Sequence, residues 1–293
     1  MKTKLDFLVG LALACLLSTF NFQLSTCSAA TTIDSANRYA YGANVGWMDG
    51  RGDTNNGAVI GDYVCSGYIY SANVGWINLG NGSPTNGIRY RNLSTNDFGV
   101  NNDGLGNLSG YAYGANVGWI NFTNTGAPAV DLYTGKLSGS VWSANCGWIS
   151  LSNSMAYVQT TNISPGALST NGLPVAWLLT YFGATNINAS ADPDHDGMSN
   201  LQEYIAGTDP NSGTNYLHIT SITRGTPTPT YMSLHWTVQP SRFYAVEHNR
   251  VVDGSSPWTD LFVSQSPGTP AIGFDEFSTN EFYRIRAFRQ LTP

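Results

Sequence analysis

Charged side chains are scarce in this chain. They make up 11% of its 293 residues, and the 19 acidic residues outnumber the 13 lysines and arginines, which gives a net charge of −6. Binding to the phosphates of a nucleic acid requires a basic face, and this composition does not supply one. Attraction to an anionic membrane surface is equally unsupported. Asparagine, glycine, serine and threonine replace the missing charge, which favours a β-rich extracellular protein with many turns.

Catalytic signatures are also missing. The sequence has only four histidines, and it contains no His-Glu-x-x-His motif, no Gly-x-Ser-x-Gly motif and no phosphate-binding glycine loop. Glycoside hydrolysis needs only two carboxylates at a set distance, so an extracellular hydrolase of unrecognised type stays open as an alternative. We expect a protein that binds rather than catalyses.

Only the N-terminus carries a long apolar segment. Lys2 and Lys4 precede a largely apolar stretch at residues 7–20, and small residues at 28–30 offer a cleavage point. The stretch is shorter than a membrane-spanning helix and has the layout of a secretory signal peptide. We therefore predict a signal peptide at residues 1–30, a secreted or cell-surface protein, and no membrane span after cleavage.

Four nearly identical segments follow, at residues 39–47, 68–76, 111–119 and 140–148. Each ends in Ala-Asn-x-Gly-Trp, and the tryptophans are 29, 43 and 29 residues apart, so a pair of units is duplicated with an insertion at about residues 80–106. Alternating residues before the Asn and Gly of a turn predict a β-hairpin in each unit. Residues 31–163 are therefore predicted to be an aromatic hairpin-repeat β domain.

The repeat tryptophans allow two interpretations. They are Trp47, Trp76, Trp119 and Trp148. Aromatic residues at one phase of a repeated hairpin most often form a shared core, and we favour that interpretation. The alternative is a ligand-binding platform, because flat aromatic faces also stack on sugars.

Residues 192–203 carry the strongest chemical motif of the chain. The six ligand positions of a twelve-residue calcium loop are filled by Asp192, Asp194, Asp196, the backbone carbonyl of Met198, Asn200 and Glu203. Gly197 permits the sharp turn that such a loop makes. Three close aspartates repel one another unless a cation neutralises them, so we predict calcium as the cofactor, with a structural rather than a switching role.

The other regions are assigned from pattern. Residues 164–215 are predicted to hold a helix at 173–182 and a capping box, Ser199 to Gln202, that begins a second helix after the acidic residues. Residues 216–293 alternate as strands at 217–222, 232–238, 242–247, 258–263 and 282–288, which indicates a C-terminal β-sandwich of the Ig or fibronectin type. The fold class expected for the whole chain is mostly β.

Two cysteines remain after signal cleavage, Cys65 and Cys146. An even pair in an exported protein makes a disulfide possible, and two separate buried thiols are the alternative. The sequence does not decide between them.

These patterns together resemble known modules. The segment from Leu173 through the acidic residues to Pro210 is similar to thrombospondin type 3 and dockerin calcium loops, and the hairpin units resemble a Gly-Trp-Ile repeat of exported bacterial proteins. The strands around Trp236, Trp258 and residues 282–285 resemble the β-sandwich module that often follows such loops. The resemblance implies a cell-surface, matrix or adhesion protein, with a polysaccharide or a cell-surface component as its partner; a carbohydrate-binding accessory protein is the first alternative.

Overall fold

The computed structural model describes most of the chain after the predicted signal peptide. The described residues are 31–52, 55–224, 232–251, 255–265, 267, 271–274 and 282–292. The predicted signal peptide at residues 1–30 lies outside them. No helix within these ranges has the length and apolarity to cross a membrane.

Within the described residues, twelve strands precede the first helix. They are β1 (Ile33–Gly42), β2 (Gly46–Asp49), β3 (Ser66–Ser71), β4 (Gly75–Asn81), β5 (Val100–Asn102), β6 (Leu108–Gly114), β7 (Gly118–Asn121), β8 (Ala129–Val130), β9 (Leu137–Ser138), β10 (Ser140–Ser143), β11 (Gly147–Ser150) and β12 (Val158–Thr160). Eight of them pair antiparallel in the order β1-β2-β3-β4-β6-β7-β10-β11, and β11 pairs back with β1. The result is a closed eight-stranded barrel, which leaves none of these strands with a free edge.

Each repeat segment forms one hairpin of the barrel. In the third hairpin Tyr113 faces Trp119 and Gly114 faces Gly118 across β6 and β7. The glycine before each tryptophan has a positive φ, +70° at Gly118, which a residue with a Cβ adopts only at a cost. The Asn-x-Gly spacing therefore specifies the turn, and the four predicted hairpins are present.

The barrel interior is filled by the small and branched residues of the hairpins. The inward phase carries Ala40 and Met48, Ile77, Ala112 and Ile120, and Val141 and Ile149, all buried. An eight-stranded barrel is just wide enough for side chains of this size to fill it. The tryptophans occupy the opposite phase and point outward.

A ring of side-chain hydrogen bonds joins the four turns at one end of the barrel. Each turn asparagine donates from Nδ2 to a backbone carbonyl of the preceding turn, over 3.0–3.2 Å. The bonds run from Asn44 to Cys146, from Asn73 to Val45, from Asn116 to Val74 and from Asn145 to Val117. Because the fourth turn is bonded to the first, the ring closes with the barrel and explains the asparagine in every unit.

Cys65 and Cys146 are free thiols, and both are buried. Cys146 occupies the turn position that is valine in the other three units, whereas Cys65 precedes β3, whose own turn lies after Ser71. Six strand residues span roughly 20 Å, so the two cysteines lie near opposite ends of the barrel. The structure therefore has the two separate buried thiols that the sequence left open, and the tentative disulfide is absent because of this separation.

Two short helices follow the barrel, as the sequence predicts. Helix α1 (Val175–Phe182) begins after Pro174 and ends at Gly183, which is in the left-handed conformation. Helix α2 (Asn200–Ala206) begins with a capping box in which Ser199 and Gln202 bond to each other's backbone amide. The buried face of α2 consists of Asn200, Glu203 and Ala206 rather than the apolar residues Leu201 and Ile205, which are exposed.

Two three-stranded antiparallel sheets complete the described chain. They have the orders β13-β14-β17 and β16-β15-β18, from β13 (Ile219–Arg224), β14 (Met232–Trp236), β15 (Phe243–Asn249), β16 (Thr259–Val263), β17 (Ala271–Phe274) and β18 (Phe282–Phe288). Leu234 and Trp236 of the first sheet share one buried cluster with Tyr244 and Val246 of the second. The mostly β fold class is confirmed, while the Ig or fibronectin type stays a prediction and β17 was not predicted.

Two arginines tie the helical segment to the regions on either side. Arg242 is buried and donates to the carbonyls of Tyr204 and Ile205, at 2.7 and 2.6 Å, at the C-terminal end of α2. Arg289 forms an ion pair with Asp62 of the barrel region and donates to the Tyr204 hydroxyl. A cation is favourable at the C-terminal end of a helix, which is where Arg242 lies. Together the two arginines fix α2 and the loop before it by contacts with the barrel region and with the C-terminal sheets.

Candidate functional site

The acidic loop, residues 192–203, brings its three aspartates together. One carboxylate oxygen each from Asp192, Asp194 and Asp196 lies within 4.8 Å of the other two. The loop starts one residue after Ala191, whose carbonyl accepts from the Asn200 amide, and it runs into α2. The described chain therefore holds these carboxylates close together at the start of a helix.

Backbone amides fix the direction of each aspartate. Asp192 accepts from the amides of His195 at 2.8 Å and Gly197 at 3.0 Å. Asp194 Oδ1 accepts from the Asp196 amide at 3.3 Å, and Asp196 Oδ1 accepts from the Met198 amide at 2.8 Å. These bonds occupy one oxygen of Asp194 and of Asp196 and leave the other oxygen free to face the centre of the loop.

Five buried oxygens of the loop lack a hydrogen-bond partner. They are Asp194 Oδ2, Asp196 Oδ2, Asn200 Oδ1, and Oε1 and Oε2 of Glu203. Glu203 is 0% exposed, and Asn200 is 1% exposed. A buried polar atom without a partner costs free energy, so native proteins contain few of them. Four neighbouring side chains with unpartnered oxygens indicate one shared partner. Because all five atoms are oxygens that accept rather than donate, a cation fits that role.

The electrostatics of the acidic loop agree with that interpretation. Burial raises the pKa of the Glu203 carboxyl to about 7 against the lowering effect of the nearby Thr208 hydroxyl, and the charges of Asp194 and Asp196 add to the rise. Burial also raises the pKa of Asp194, with further contributions from Asp196 and Asp192. A nearby positive charge would reverse these shifts, because it favours the ionised carboxylates.

The remaining loop residues lie where the motif predicts them. Gly197 has a φ of +96°, and the side chain of His195, between Asp194 and Asp196, is exposed. Asn200 donates through Nδ2 to the Asn188 carbonyl at 2.8 Å, so its Oδ1 is held in a fixed orientation. Met198 supplies position 7, and its side chain packs against the cluster between the two C-terminal sheets. Helix α1 ends at Phe182, well before the loop, unlike the paired helices of an EF-hand.

The repeat tryptophans are exposed, so their interpretation as a shared core is wrong. Trp47, Trp76, Trp119 and Trp148 are 46, 45, 42 and 47% exposed. The strands alternate between two apolar faces, and the smaller residues fill the narrow interior. The large rings are left on the outer wall.

These tryptophans belong to an aromatic surface on the barrel wall. Its exposed members are Tyr41, Trp47, Tyr68, Tyr70, Trp76, Tyr113, Trp119, Trp142 and Trp148. In each hairpin the tryptophan packs against the ring directly opposite, with centroids 4.9 Å apart in three hairpins and 5.2 Å apart between Trp142 and Trp148. Such cross-strand pairs stabilise hairpins. The same pairs nevertheless leave large apolar areas in contact with water.

The insertion adds a third ring to one of these pairs. Phe98 packs against Trp119 with the ring centroids 5.1 Å apart. Sequence reasoning did not single out Phe98; the only signal was the longer spacing, 43 residues, before the third tryptophan. The insertion therefore makes the third hairpin different from the other three.

Comparison with protein-family models, with curated proteins and with solved structures found no match for this chain.

Proposed function

We propose that this chain is an exported, cell-surface or matrix protein that binds polysaccharide through the aromatic surface of its barrel. The observation that carries the proposal is the solvent exposure of a tryptophan and its aromatic partner on all four hairpins. Soluble proteins rarely leave large apolar areas facing water unless something binds there. The N-terminal sequence and the resemblance to exported repeat proteins support the compartment.

Sugar is the ligand class that this surface suits best. Pyranose rings have apolar C–H faces, and aromatic rings offer flat apolar faces together with the polar groups of tyrosine and tryptophan. The chain has few charged residues, 11% in total, so an ionic ligand has little to attract it. Because the barrel is closed, the four aromatic pairs face different directions, and each pair offers a separate contact for a polysaccharide.

We further propose that the acidic loop binds a structural calcium ion. The support is the set of five unpartnered buried oxygens on Asp194, Asp196, Asn200 and Glu203, at the spacing of a twelve-residue calcium loop. Calcium takes six to eight oxygen ligands and prefers carboxylates and carbonyls. The contacts of α2 with Arg242 mean that an ordered loop also fixes the junction between the barrel and the C-terminal sheets.

The binding proposal is tested by electrophoresis of the mature chain, residues 31–293, in gels that contain neutral polysaccharides such as xylan, mannan or soluble cellulose derivatives. We expect retardation in at least one gel, and weaker retardation after the double substitution Trp47→Ala with Trp119→Ala. The matched control exchanges the exposed Leu168 for alanine, which removes apolar area outside the barrel wall. The proposal would be contradicted if the wild type migrated equally far in every polysaccharide gel and in a gel without polysaccharide.

The hydrolase alternative gains no support from the described residues. Its chemistry would require two carboxylates in one cleft. Five cavities and clefts of the described chain contain a single carboxylate between them, Asp62, and it is paired with Arg289.

A further inference from the structure

One open cleft lies against the aromatic surface, and the insertion forms its other wall. The cleft has a volume of about 460 Å³, and it is lined by Trp119 and Tyr111 of the third hairpin and by Phe98, Leu93 and Thr95 of the insertion. Sites for small ligands occupy ~300–1,000 Å³, so the cleft is large enough for one sugar unit of a chain.

The aromatic walls of the cleft stand at steep angles to one another. The Phe98 ring is inclined by 84° to the Trp119 ring, and the Tyr111 ring by 76°. Differently oriented rings can contact more than one side of a bound sugar, whereas a single flat ring contacts only one face. This arrangement distinguishes the third hairpin from the first, where Trp47 has only its two tyrosines as ring partners within the described residues.

The insertion side adds an exposed apolar residue and polar groups. Leu93 is 85% exposed at the cleft, so its side chain is accessible to a ligand. Ser94 and Thr95 are exposed beside it, and within the described ranges their hydroxyls have no hydrogen-bond partner. The lining contains no charged residue. The chemistry therefore favours a neutral sugar over a uronic acid or a sulfated sugar.

The insertion is held in place before any ligand arrives. The buried carboxylate of Asp97 accepts from the Thr85 amide, the Thr85 hydroxyl and the Arg91 amide, over 2.9–3.2 Å. Asn92 accepts from the Gly99 amide at 3.0 Å, so both ends of the segment around Leu93 are fixed. A preformed site loses less entropy on binding than a mobile loop does.

We propose that this cleft is the principal sugar-binding subsite and that one neutral pyranose unit of a polysaccharide lies in it against Trp119, Phe98 and Leu93. The inference rests on the proposed polysaccharide binding. It adds the place on the barrel where the polysaccharide binds and the prediction that the polysaccharide is uncharged. It also explains why the duplicated pairs of hairpins are separated by 43 rather than 29 residues.

The test compares Trp119→Ala with Trp47→Ala in the mature chain. Both tryptophans have the same cross-strand geometry, with a tyrosine centroid 4.9 Å away, and nearly the same exposure. Trp119→Ala also loses the contact with Phe98, so its melting temperature should fall somewhat further than that of Trp47→Ala. We measure binding of neutral hexasaccharides of glucose, mannose and xylose, and of a hexagalacturonate, by titration calorimetry. The neutral ligand that binds best should lose about tenfold in affinity with Trp119→Ala and little with Trp47→Ala.

Leu93→Ser provides a variant that does not disturb packing. Because Leu93 is almost fully exposed, the melting temperature should stay unchanged while the affinity for the neutral sugar falls several-fold. Equal losses for Trp119→Ala and Trp47→Ala, with none for Leu93→Ser, would overturn the subsite and leave polysaccharide binding intact. Stronger binding of the hexagalacturonate would overturn the neutral class. A wild-type protein that binds no saccharide would overturn the proposed function itself.

Discussion

The proposed calcium site in the acidic loop predicts that a chelator destabilises the protein by an amount that can be calculated. Extracellular calcium sites have dissociation constants of ~0.1–1 mM, so 10 mM calcium gives a ten- to hundredfold excess over that constant. A ligand that binds only the native state then contributes about 1.4–2.7 kcal/mol. For a chain of this size the melting temperature should rise by roughly 3–10 °C between a chelator and 10 mM calcium.

The substitution Glu203→Gln separates a calcium site from an ordinary buried acid. Burial raises the folded-state pKa of Glu203 to about 7 from a reference value of 4.5. A raised carboxyl pKa costs no stability below pH 4.5, where both states are protonated, and the cost grows as the pH rises to about 7. Above that pH the chelated wild type carries a penalty on the order of 2–3 kcal/mol. The glutamine variant does not carry it.

The sign of the mutational effect should therefore depend on calcium. At pH 8 in chelator, Glu203→Gln should melt at or above the wild-type temperature; in 10 mM calcium it should melt below it and respond little to the ion. Asp103→Asn, which changes an exposed acid of the barrel region, is the matched control and should keep the wild-type calcium response. Scanning calorimetry measures these melting temperatures in chelator, in calcium and, for comparison, in magnesium. The reasoning is refuted if calcium leaves the wild-type melting temperature unchanged, or if Glu203→Gln lowers it equally with and without the ion.

Three further predictions concern the barrel and the C-terminal sheets, and urea unfolding measures each of them. Asn73→Ala removes a bond of the turn ring and leaves the Val45 carbonyl with only the longer bond, 3.4 Å, from the Ser71 hydroxyl, so it should cost about 1 kcal/mol; an unchanged midpoint would contradict the ring. Cys146→Val restores the residue of the other turns and should change stability by less than about 1 kcal/mol, with no effect of reductant. Burial opposes ionisation of Glu247, but its bonds to Arg286 and a second arginine outweigh it and lower the Glu247 pKa, so Glu247→Gln should cost about 2 kcal/mol at pH 7. That difference should shrink as the pH falls below the reference value of 4.5, and a constant difference would refute the cause.

The local structure could be predicted because its causes are local. The turn glycines need a positive φ, Pro174 and Gly183 delimit α1, and Ser199 with Gln202 caps α2. Each of these signals acts over a few residues, so the sequence contains it in full. The convergence of the three aspartates follows in the same way, because the turn at Gly197 folds the loop back on itself.

The closure of the barrel could not be predicted in this way. It depends on pairing between β1 and β11, which lie about a hundred residues apart in the chain, and the sequence pattern of each hairpin is the same in an open sheet. The hydrogen bond that closes the ring of turns is accepted by the Cys146 backbone carbonyl. Every residue type has such a carbonyl, so the sequence does not identify the acceptor. Strand β17 was missed because the turn residues around it dominate the pattern.

The direction of the tryptophans was misjudged because both faces of the hairpins are apolar. Tyr-Ala-Tyr followed by Trp-Ile alternates large and small residues, and hydrophobicity alone does not tell which set points inward. The number of strands decides it, because an interior of eight strands accommodates Ala112 and Ile120 but not four tryptophans with their partners. Side-chain volume, rather than polarity, is therefore the informative quantity in repeats of this kind.

The four hairpins differ at a few positions, and these differences separate the barrel interior from its outer wall. The place before the turn is glycine in the first and third hairpins, at Gly42 and Gly114, and serine in the second and fourth, at Ser71 and Ser143. A Cβ at Gly42 would lie 2.7 Å from a Val45 methyl group, and one at Gly114 would lie 2.8 Å from a Val117 methyl group, so a side chain at either position would have to displace the turn valine. The interior thus preserves the symmetry of two equal pairs, while the outer wall breaks it with the insertion that carries Phe98. Packing constrains the interior of both pairs, and the proposed sugar site lies on the outer wall, where the insertion makes one hairpin differ from the other three.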